Sequence, residues 1–201
     1  MNSIFIVEDH PIMQNALIYY FEKTGRWQVT GKAFTLAEAK KLSSKSDFKA
    51  DVVLLDIQLA DDWGLDYIPW YRDFTERKQD TIFAVYTNFN DYNNVKAALA
   101  MGVQAFICKH RDEQELENAL LLALDGKTYI DDDTHSKFEM AKDIYSLLTK
   151  RETEILSLVK SGLSNGEIAD KLKIKRHSVE NIIYCIYQKT GMKSRLEFKK
   201  L

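Results

Sequence analysis

Short apolar runs separated by helical patterns fill the first 125 residues. Four runs rich in aliphatic, β-branched and aromatic residues are typical of buried parallel strands. They lie at residues 4–7, 52–55, 82–86 and 105–108, and a further strand is predicted at 27–34. Apolar positions at helical spacing predict helices at residues 11–24, 35–42, 65–74, 91–101 and 112–124. This alternation predicts a five-stranded, doubly wound parallel α/β sheet with right-handed crossovers.

The pattern changes after residue 147, where strand signals disappear. Three pairs of Ser or Thr with Glu three positions later predict capped helix starts. These pairs are Thr149/Glu152, Ser164/Glu167 and Ser194/Glu197. A further helix is predicted at residues 176–189, ending before Gly191. Four short helices joined by tight turns predict a small all-α helix-turn-helix domain. We therefore expect domains at residues 1–125 and 148–201, with a linker at 126–147.

The linker contains the acidic run Asp131-Asp132-Asp133. Such a run can supply calcium ligands, but this one lacks the glycine and the terminal glutamate of an EF-hand loop. We interpret it as part of a solvated linker that is partly helical towards Ile144.

The charge of the two predicted domains differs in sign. Residues 1–125 contain 13 basic and 19 acidic residues, which gives −6, whereas residues 148–201 contain 12 and 6, which gives +6. This asymmetry within a chain of net charge −2 indicates two domains with different partners.

The composition also bears on the compartment. No apolar stretch approaches the roughly 20 residues that span a bilayer, and no basic leader precedes the first strand. The cysteines, Cys108 and Cys185, form neither a disulfide framework nor a metal pair. We expect a cytoplasmic protein with no membrane partner.

Polar residues follow the predicted strands at the point where each strand ends. These residues are Glu8, Asp9, Asp56, Thr87 and Lys109. Because ligands bind outside the carboxyl ends of the strands in open α/β sheets, we expect them to gather at one edge. Carboxylate oxygens are ligands for Mg²⁺. Asp56 is the predicted nucleophile that forms an acyl phosphate, with Lys109 and Thr87 stabilising the phosphoryl oxygens.

Haloacid-dehalogenase-like phosphatases also use an aspartate at a strand end. Their nucleophile is followed by a second carboxylate two residues later, where this chain has Gln58. We therefore reject this enzyme class for the site.

The motifs Val7-Glu8-Asp9-His10-Pro11 and Leu54-Leu55-Asp56-Ile57 resemble the flavodoxin-like receiver domain of two-component response regulators, in the NarL/FixJ (LuxR-type) branch. The resemblance implies that Glu8, Asp9, Asp56 and the backbone carbonyl of Gln58 hold Mg²⁺. It makes Thr87 the switch hydroxyl, which would move towards the phosphate, and Phe106 the switch aromatic, which would repack inward. It also implies a sensor histidine kinase that phosphorylates Asp56. We interpret His10 as a structural residue at the helix entry.

Residues 149–191 are similar to the LuxR-type helix-turn-helix, whose third helix would enter the major groove of double-stranded DNA. Helical spacing places Val179, Ile182, Ile183 and Ile186 inward. The candidates for contact with bases or phosphates are Lys175, Arg176, His177, Glu180, Asn181, Tyr184, Gln188 and Lys189. Ordinary solvation is the alternative for each of them.

The match is imperfect at three positions. The family commonly has Lys at the position where this chain has Glu180, and His where it has Ile182. It commonly has Ser or Thr where this chain has Lys175. A carboxylate that faces phosphates repels them, so the sequence leaves two alternatives beside the main prediction. One is an interaction adaptor with a degenerate DNA-binding surface, and the other is a regulator that acts without phosphorylation.

The main prediction is a transcription factor, not an enzyme, in which phosphorylation of Asp56 controls homodimerisation and DNA binding. The last helix, with Ser194, Leu196, Phe198 and Leu201, is expected to pair with a second copy. Its burial against its own domain is the alternative.

Overall fold

The computed structural model describes residues 1–60, 62–74 and 81–198. The chain forms two compact units, Met1–Thr134 and His135–Leu201. Among the described residues, no helix has the length and apolar composition needed to cross a bilayer.

The first unit contains all of the described strands. They are β1 (Asn2–Val7), β2 (Trp27–Ala33), β3 (Val52–Leu55), β4 (Gln58–Leu59), β5 (Asp62–Trp63), β6 (Ile82–Thr87), β7 (Ala105–Cys108) and β8 (Tyr129–Ile130). Its helices are α1 (Pro11–Thr24), α2 (Leu36–Ser43), α3 (Tyr67–Phe74), α4 (Tyr92–Ala100) and α5 (Glu113–Leu124). Helix α6 (Asp132–Ser146) begins in this unit and continues into the second.

Six strands form the main sheet, in the order β2-β1-β3-β6-β7-β8, and every adjacent pair is parallel. The doubly wound α/β fold is confirmed, but the prediction of five strands is wrong by one. Strand β8 lies in the predicted linker and pairs with β7 through the amides of Tyr129 and Asp131, which donate to the carbonyls of Gln104 and Phe106. Two residues are too few to give a period-2 signal in the sequence.

The predicted solvated linker is also corrected, because Asp131 is fully buried. Its Oδ1 accepts hydrogen bonds from the Thr134 amide at 3.1 Å and from Arg111 Nη2 at 3.2 Å. Its neighbours Asp132 and Asp133 are exposed, as the sequence predicts. The charge of Asp131 is therefore compensated by Arg111, a partner distant in sequence.

Helices α4 and α5 start one residue later than predicted. Asp91 and Asp112 have extended backbones, and their carboxylates accept hydrogen bonds from amides of the first helical turn. They are N-cap residues, which lie just outside the helix they begin. Residues 65 and 66, predicted to open a helix, instead belong to the 3₁₀ turn Gly64–Asp66 before α3.

The second unit is helical, with α7 (Lys150–Lys160), α8 (Asn165–Leu172), α9 (Arg176–Thr190) and α10 (Arg195–Phe198). The capping boxes at Thr149 and Ser164 are confirmed. At the third start, Ser194 Oγ accepts from the Glu197 amide at 3.4 Å, but the Glu197 carboxylate accepts from the amide of Lys193 at 3.1 Å.

The last helix buries part of its apolar surface in its own unit. Phe198 is fully buried and stacks on Tyr187, with ring centroids 4.9 Å apart, whereas Leu196 is exposed. This favours the alternative of burial for Phe198. Leu201, which the sequence also assigns to this helix, lies outside the described residues.

Candidate functional site

The carboxyl ends of β3, β6 and β7 bring Asp56, Thr87 and Lys109 together. The Asp56 side chain is only 4% exposed. Thr87 Oγ1 donates to Asp56 Oδ1 at 2.7 Å, and Lys109 Nζ donates to Asp56 Oδ2 at 2.6 Å. Each carboxylate oxygen of Asp56 is therefore held by one of the two side chains that the sequence assigns to the phosphoryl oxygens.

Lys109 also connects Asp56 to the end of β1. Its Nζ lies 2.6 Å from Glu8 Oε2, and both side chains are buried. Burial alone would lower the pKa of Lys109, but hydrogen bonds to Asp56 and Glu8 and the charges of these groups raise it above its ordinary value. The ammonium charge is thus held at this edge of the sheet.

Four side chains form a potential metal-ligand cluster at this edge of the sheet, namely those of Glu8, Asp9, His10 and Asp56. One ligand atom from each lies within 4.8 Å of the other three. Asp9 Oδ2 accepts from the amide of Ala60 at 2.8 Å, whereas Asp9 Oδ1 is buried and accepts no hydrogen bond. Among the described residues, the His10 ring lies within ion-pair distance of this oxygen, and a buried carboxylate oxygen beside two further carboxyl groups fits a hard cation with oxygen ligands such as Mg²⁺.

His10 lies at the entry to α1, as predicted, with its ring 71% exposed. Its Nδ1 is 2.9 Å from Asp9 Oδ1 and 3.2 Å from Glu8 Oε1. The imidazole therefore faces the acidic cluster, which is a placement that the sequence does not reveal.

Gly64 determines the path of the backbone next to Asp56. A Cβ at this position would lie 2.0 Å from the backbone oxygen of Asp56, and the Gly64 amide donates to Ile57 O at 2.6 Å. Strands β4 and β5 form a short antiparallel hairpin between these residues. Only glycine allows this close approach of two backbone segments.

A pocket of about 200 Å³ opens over the site. Its lining comprises Asp9, His10, Asp56, Gln58, Ala60, Asn88, Phe89 and Lys109. Ala60, Asn88 and Phe89 are members of the site that the sequence did not predict. Asn88 and Phe89 directly follow Thr87, so their position after a strand end was an available signal.

Gln14 is a further residue whose role the sequence does not predict. It is fully buried in α1, and its Nε2 donates to the backbone oxygens of Glu8 and Ala33, both at 3.0 Å. These bonds fix the backbone at the end of β1. No motif in the sequence marks this role.

Phe106 is fully buried on β7. Thr87 is fully buried as well and already bonded to Asp56. Both residues are inward in this structure, and their predicted movement on phosphorylation stays a prediction.

All eight predicted DNA-contacting residues are exposed, seven of them on α9 and Lys175 at its N-cap. They are Lys175, Arg176, His177, Glu180, Asn181, Tyr184, Gln188 and Lys189. Val179, Ile183 and Ile186 are buried as predicted, and Ile182 is half-buried. Two pairs lie along the outer face: Arg176 Nε donates to Glu180 Oε1 at 2.9 Å, and His177 Nε2 lies 3.1 Å from Asn181 Nδ2.

Lys189 differs from Arg176 because its partner lies on another helix of the same unit. Its Nζ donates to Glu152 Oε2 at 2.7 Å. Glu152 is the carboxylate of the first capping box, so the end of α9 is tied to the start of α7. Contact between Lys189 and a DNA phosphate would require this ion pair to open.

Comparisons with known proteins find a family match in each of the two units. The response regulator receiver domain matches residues 4–121, and the luxR family of bacterial regulatory proteins matches residues 146–199. The chain therefore belongs to the LuxR-type (NarL) family of response regulators, which are transcription regulators rather than enzymes.

Similar proteins span nearly the whole chain. The transcriptional regulatory protein DesR of Bacillus subtilis is 32% identical over 98% of this chain and 94% of its own length. The nitrate/nitrite response regulator NarP of Escherichia coli is 28% identical, covering 96% of this chain and 91% of NarP. The structure of RcsB from Salmonella enterica serovar Typhimurium, bound to promoter rprA, has a TM-score of 0.71 at 19% identity, over 99% and 96% of the two chains.

Proposed function

We propose that Asp56 accepts a phosphoryl group from a sensor histidine kinase and that this modification controls homodimerisation and DNA binding. The observation that supports it most is the pair of hydrogen bonds from Thr87 and Lys109 to the two oxygens of one buried carboxylate. A hydroxyl and an ammonium in this position can instead bind oxygens of a phosphoryl group attached to Asp56.

In the proposed transfer, an Asp56 oxygen attacks the phosphorus of a phosphohistidine. A P–O bond forms as the P–N bond breaks, and the imidazole leaves with the bonding electron pair and takes up a proton. Lys109 and Thr87 neutralise and orient the phosphoryl oxygens. Glu8, Asp9, Asp56 and the Gln58 carbonyl would hold Mg²⁺, which neutralises charge on the transferred group.

The second unit supplies the output in this proposal. Helix α9 would lie in the major groove, with Asn181 and Gln188 suited to adenine edges and Arg176 to phosphates. We propose residues 1–125 as the receiver, 148–201 as the DNA-binding domain and 126–147 as their connection. DNA binding would place the protein in the compartment that holds the chromosome.

An adaptor that binds other proteins is the second candidate, and the pairs on α9 favour it. Arg176 is paired with Glu180, and Lys189 is paired with Glu152. Both pairs reduce the positive charge available to phosphates, which dominates affinity for DNA.

Transfer of labelled phosphate from a phosphorylated histidine kinase domain, with Mg²⁺ present, tests the acceptor. We expect labelling of the wild-type chain and none of Asp56→Asn. Asp51→Asn is the matched control, because Asp51 is exposed just before the other end of β3 and should leave labelling unchanged. Equal labelling of the wild type and Asp56→Asn would remove Asp56 as the acceptor.

A further inference from the structure

A buried polar cluster joins the strand ends of the first unit to the beginning of α6. Asp131 and Thr134 are both fully buried. Asp131 Oδ2 accepts from the amide of Cys108 at 3.0 Å, and Thr134 Oγ1 accepts from Asn90 Nδ2 at 2.9 Å. The first turn of α6 is therefore bonded to β7 on one side and to the loop after β6 on the other.

The attachment to β7 is the rigid one. Cys108 belongs to a strand that is paired on both sides, with β6 and with β8. Burial alone would raise the pKa of Asp131, but hydrogen bonds from Thr134, Cys108 and Arg111 hold it below its ordinary value. This side of the cluster is an anchor for the start of α6.

The attachment to Asn90 is the movable one, because Asn90 lies in the irregular loop between β6 and α4. That loop begins at Thr87, whose Oγ1 accepts from the amide of Phe89 at 3.2 Å and donates to Asp56 Oδ1. A continuous set of hydrogen bonds and short backbone segments thus runs from Asp56 through Thr87 and Asn90 to Thr134.

Phosphorylation of Asp56 must disturb this arrangement. The carboxylate is buried, Thr87 holds one of its oxygens and Lys109 holds the other. A phosphoryl group on either oxygen adds atoms where these bonds now lie, so Thr87 and Lys109 must adjust. Because the loop after Thr87 bonds to its hydroxyl, a new position of Thr87 displaces Asn90.

We propose that the hydrogen bond between Asn90 and Thr134 couples the phosphorylation state of Asp56 to the stability of the first turn of α6. Helix α6 is then the element that carries the signal out of the first unit, because it continues beyond Thr134 into the second. The inference rests on the proposed phosphorylation of Asp56.

Hydrogen–deuterium exchange of the full-length chain, before and after phosphorylation with acetyl phosphate and Mg²⁺, tests the coupling. In the wild type, we expect exchange of amides in residues 132–138 to change about fivefold, the factor that corresponds to one hydrogen bond of about 1 kcal/mol. In Asn90→Ala and in Thr134→Val, the chain should still be phosphorylated, and this change should fall below about twofold.

Two exposed positions provide matched controls. Asn93→Ala in the first turn of α4 and Thr128→Val before β8 should respond as the wild type does. The double variant Asn90→Ala/Thr134→Val should lose no more of the response than Thr134→Val alone, because both single variants remove the Asn90–Thr134 bond and only Thr134→Val also removes the side-chain bond to Asp131.

The outcomes separate the coupling from the phosphorylation on which it rests. The mass of the intact chain reports whether it has accepted a phosphoryl group. A phosphorylated wild type whose α6 exchange is unchanged, or single variants that respond as fully as the wild type, would overturn the coupling alone. A chain that accepts no phosphoryl group would overturn the proposed function, and the coupling with it.

Discussion

At the scale of single residues, the site is defined by an excess of carboxyl groups over ammonium groups. Glu8, Asp9 and Asp56 contribute three carboxyl groups, whereas Lys109 contributes one ammonium. Negative charges this close to one another repel. A divalent cation relieves this repulsion, which is why the donor set favours a magnesium-dependent phosphoryl acceptor over a purely structural ion pair.

Gly64 provides the sharpest test of the geometry at this scale. Gly64→Ala would place a methyl group against the Asp56 backbone oxygen, and the backbone of the acceptor residue would have to move. We expect a loss of about 2 to 3 kcal/mol in stability and a phosphorylation rate lower by roughly tenfold to a hundredfold. Urea unfolding and acetyl phosphate labelling measure the two effects.

Gly166→Ala is the control for that substitution. The nearest atom to its added Cβ is Ser164 Oγ at 3.9 Å, an ordinary contact within α8. This variant should be labelled as fast as the wild type, and its stability should rise by about 0.5 to 1 kcal/mol, since alanine favours helix more than glycine does. Equal labelling rates for both alanine variants would contradict the proposed role of Gly64.

At the scale of elements, the sequence was informative wherever a pattern repeats. Apolar runs located β1, β3, β6 and β7, and the Ser/Thr-to-Glu spacing located the starts of α7 and α8. The side chains of Asp56, Thr87 and Lys109 were predictable because parallel strands end at a common edge.

The features that the sequence did not predict depend on contacts between residues far apart in sequence. Strand β8 has only two residues, and Asp131 is recognisable as buried only once Arg111 and Cys108 are known to bond to it. In the same way, nothing local distinguishes Lys189 from a solvated lysine, although it is paired with Glu152. Short strands and buried ion pairs are set by tertiary structure, which single-sequence patterns do not encode.

The pair between α7 and α9 makes the second unit sensitive to acid. The Lys189 ammonium and the Thr149 amide lower the pKa of Glu152 below its ordinary value of 4.5. Because the folded chain binds this proton less readily than the unfolded chain, the stabilisation is complete above about pH 5 and is lost as the pH falls through the folded-state pKa.

Glu152→Gln should therefore reduce stability by about 1 kcal/mol at pH 7, a small value because water screens the exposed part of the pair. At about pH 3.5 the variant and the wild type should differ much less. Urea unfolding followed by circular dichroism measures both values. Glu154→Gln removes an exposed carboxylate of α7 and is the control; a difference for Glu152→Gln that stays constant with pH would contradict the assignment.

At the scale of the whole molecule, the two units differ in charge as they differ in proposed task. In the proposed function, the acidic residues 1–125 hold the cation and phosphoryl chemistry, and the basic residues 148–201 hold the DNA-binding helix. Glu180 is the exception on that helix, because it places a carboxylate among the residues expected to face phosphates.

Glu180→Lys should strengthen binding to nonspecific duplex DNA. The substitution removes a repelling charge, adds a cation and releases Arg176 from its pair. We expect roughly tenfold tighter binding at moderate salt. The slope of the logarithm of affinity against the logarithm of salt concentration should steepen by about one to two released counterions. Glu154→Lys makes the same charge change on α7; an equal gain for both variants would show only a general charge effect and would contradict a DNA-facing α9.

The central claim is that the chemistry at Asp56 controls what the second unit binds. Selection of bound sequences from fragmented genomic DNA measures this most directly, using the full-length wild type and Asp56→Asn, each with and without acetyl phosphate and Mg²⁺. We expect strong enrichment of specific sites only for the phosphorylated wild type. Enrichment that is the same in all four samples, or absent from all of them, would contradict it, and complete absence would favour the adaptor.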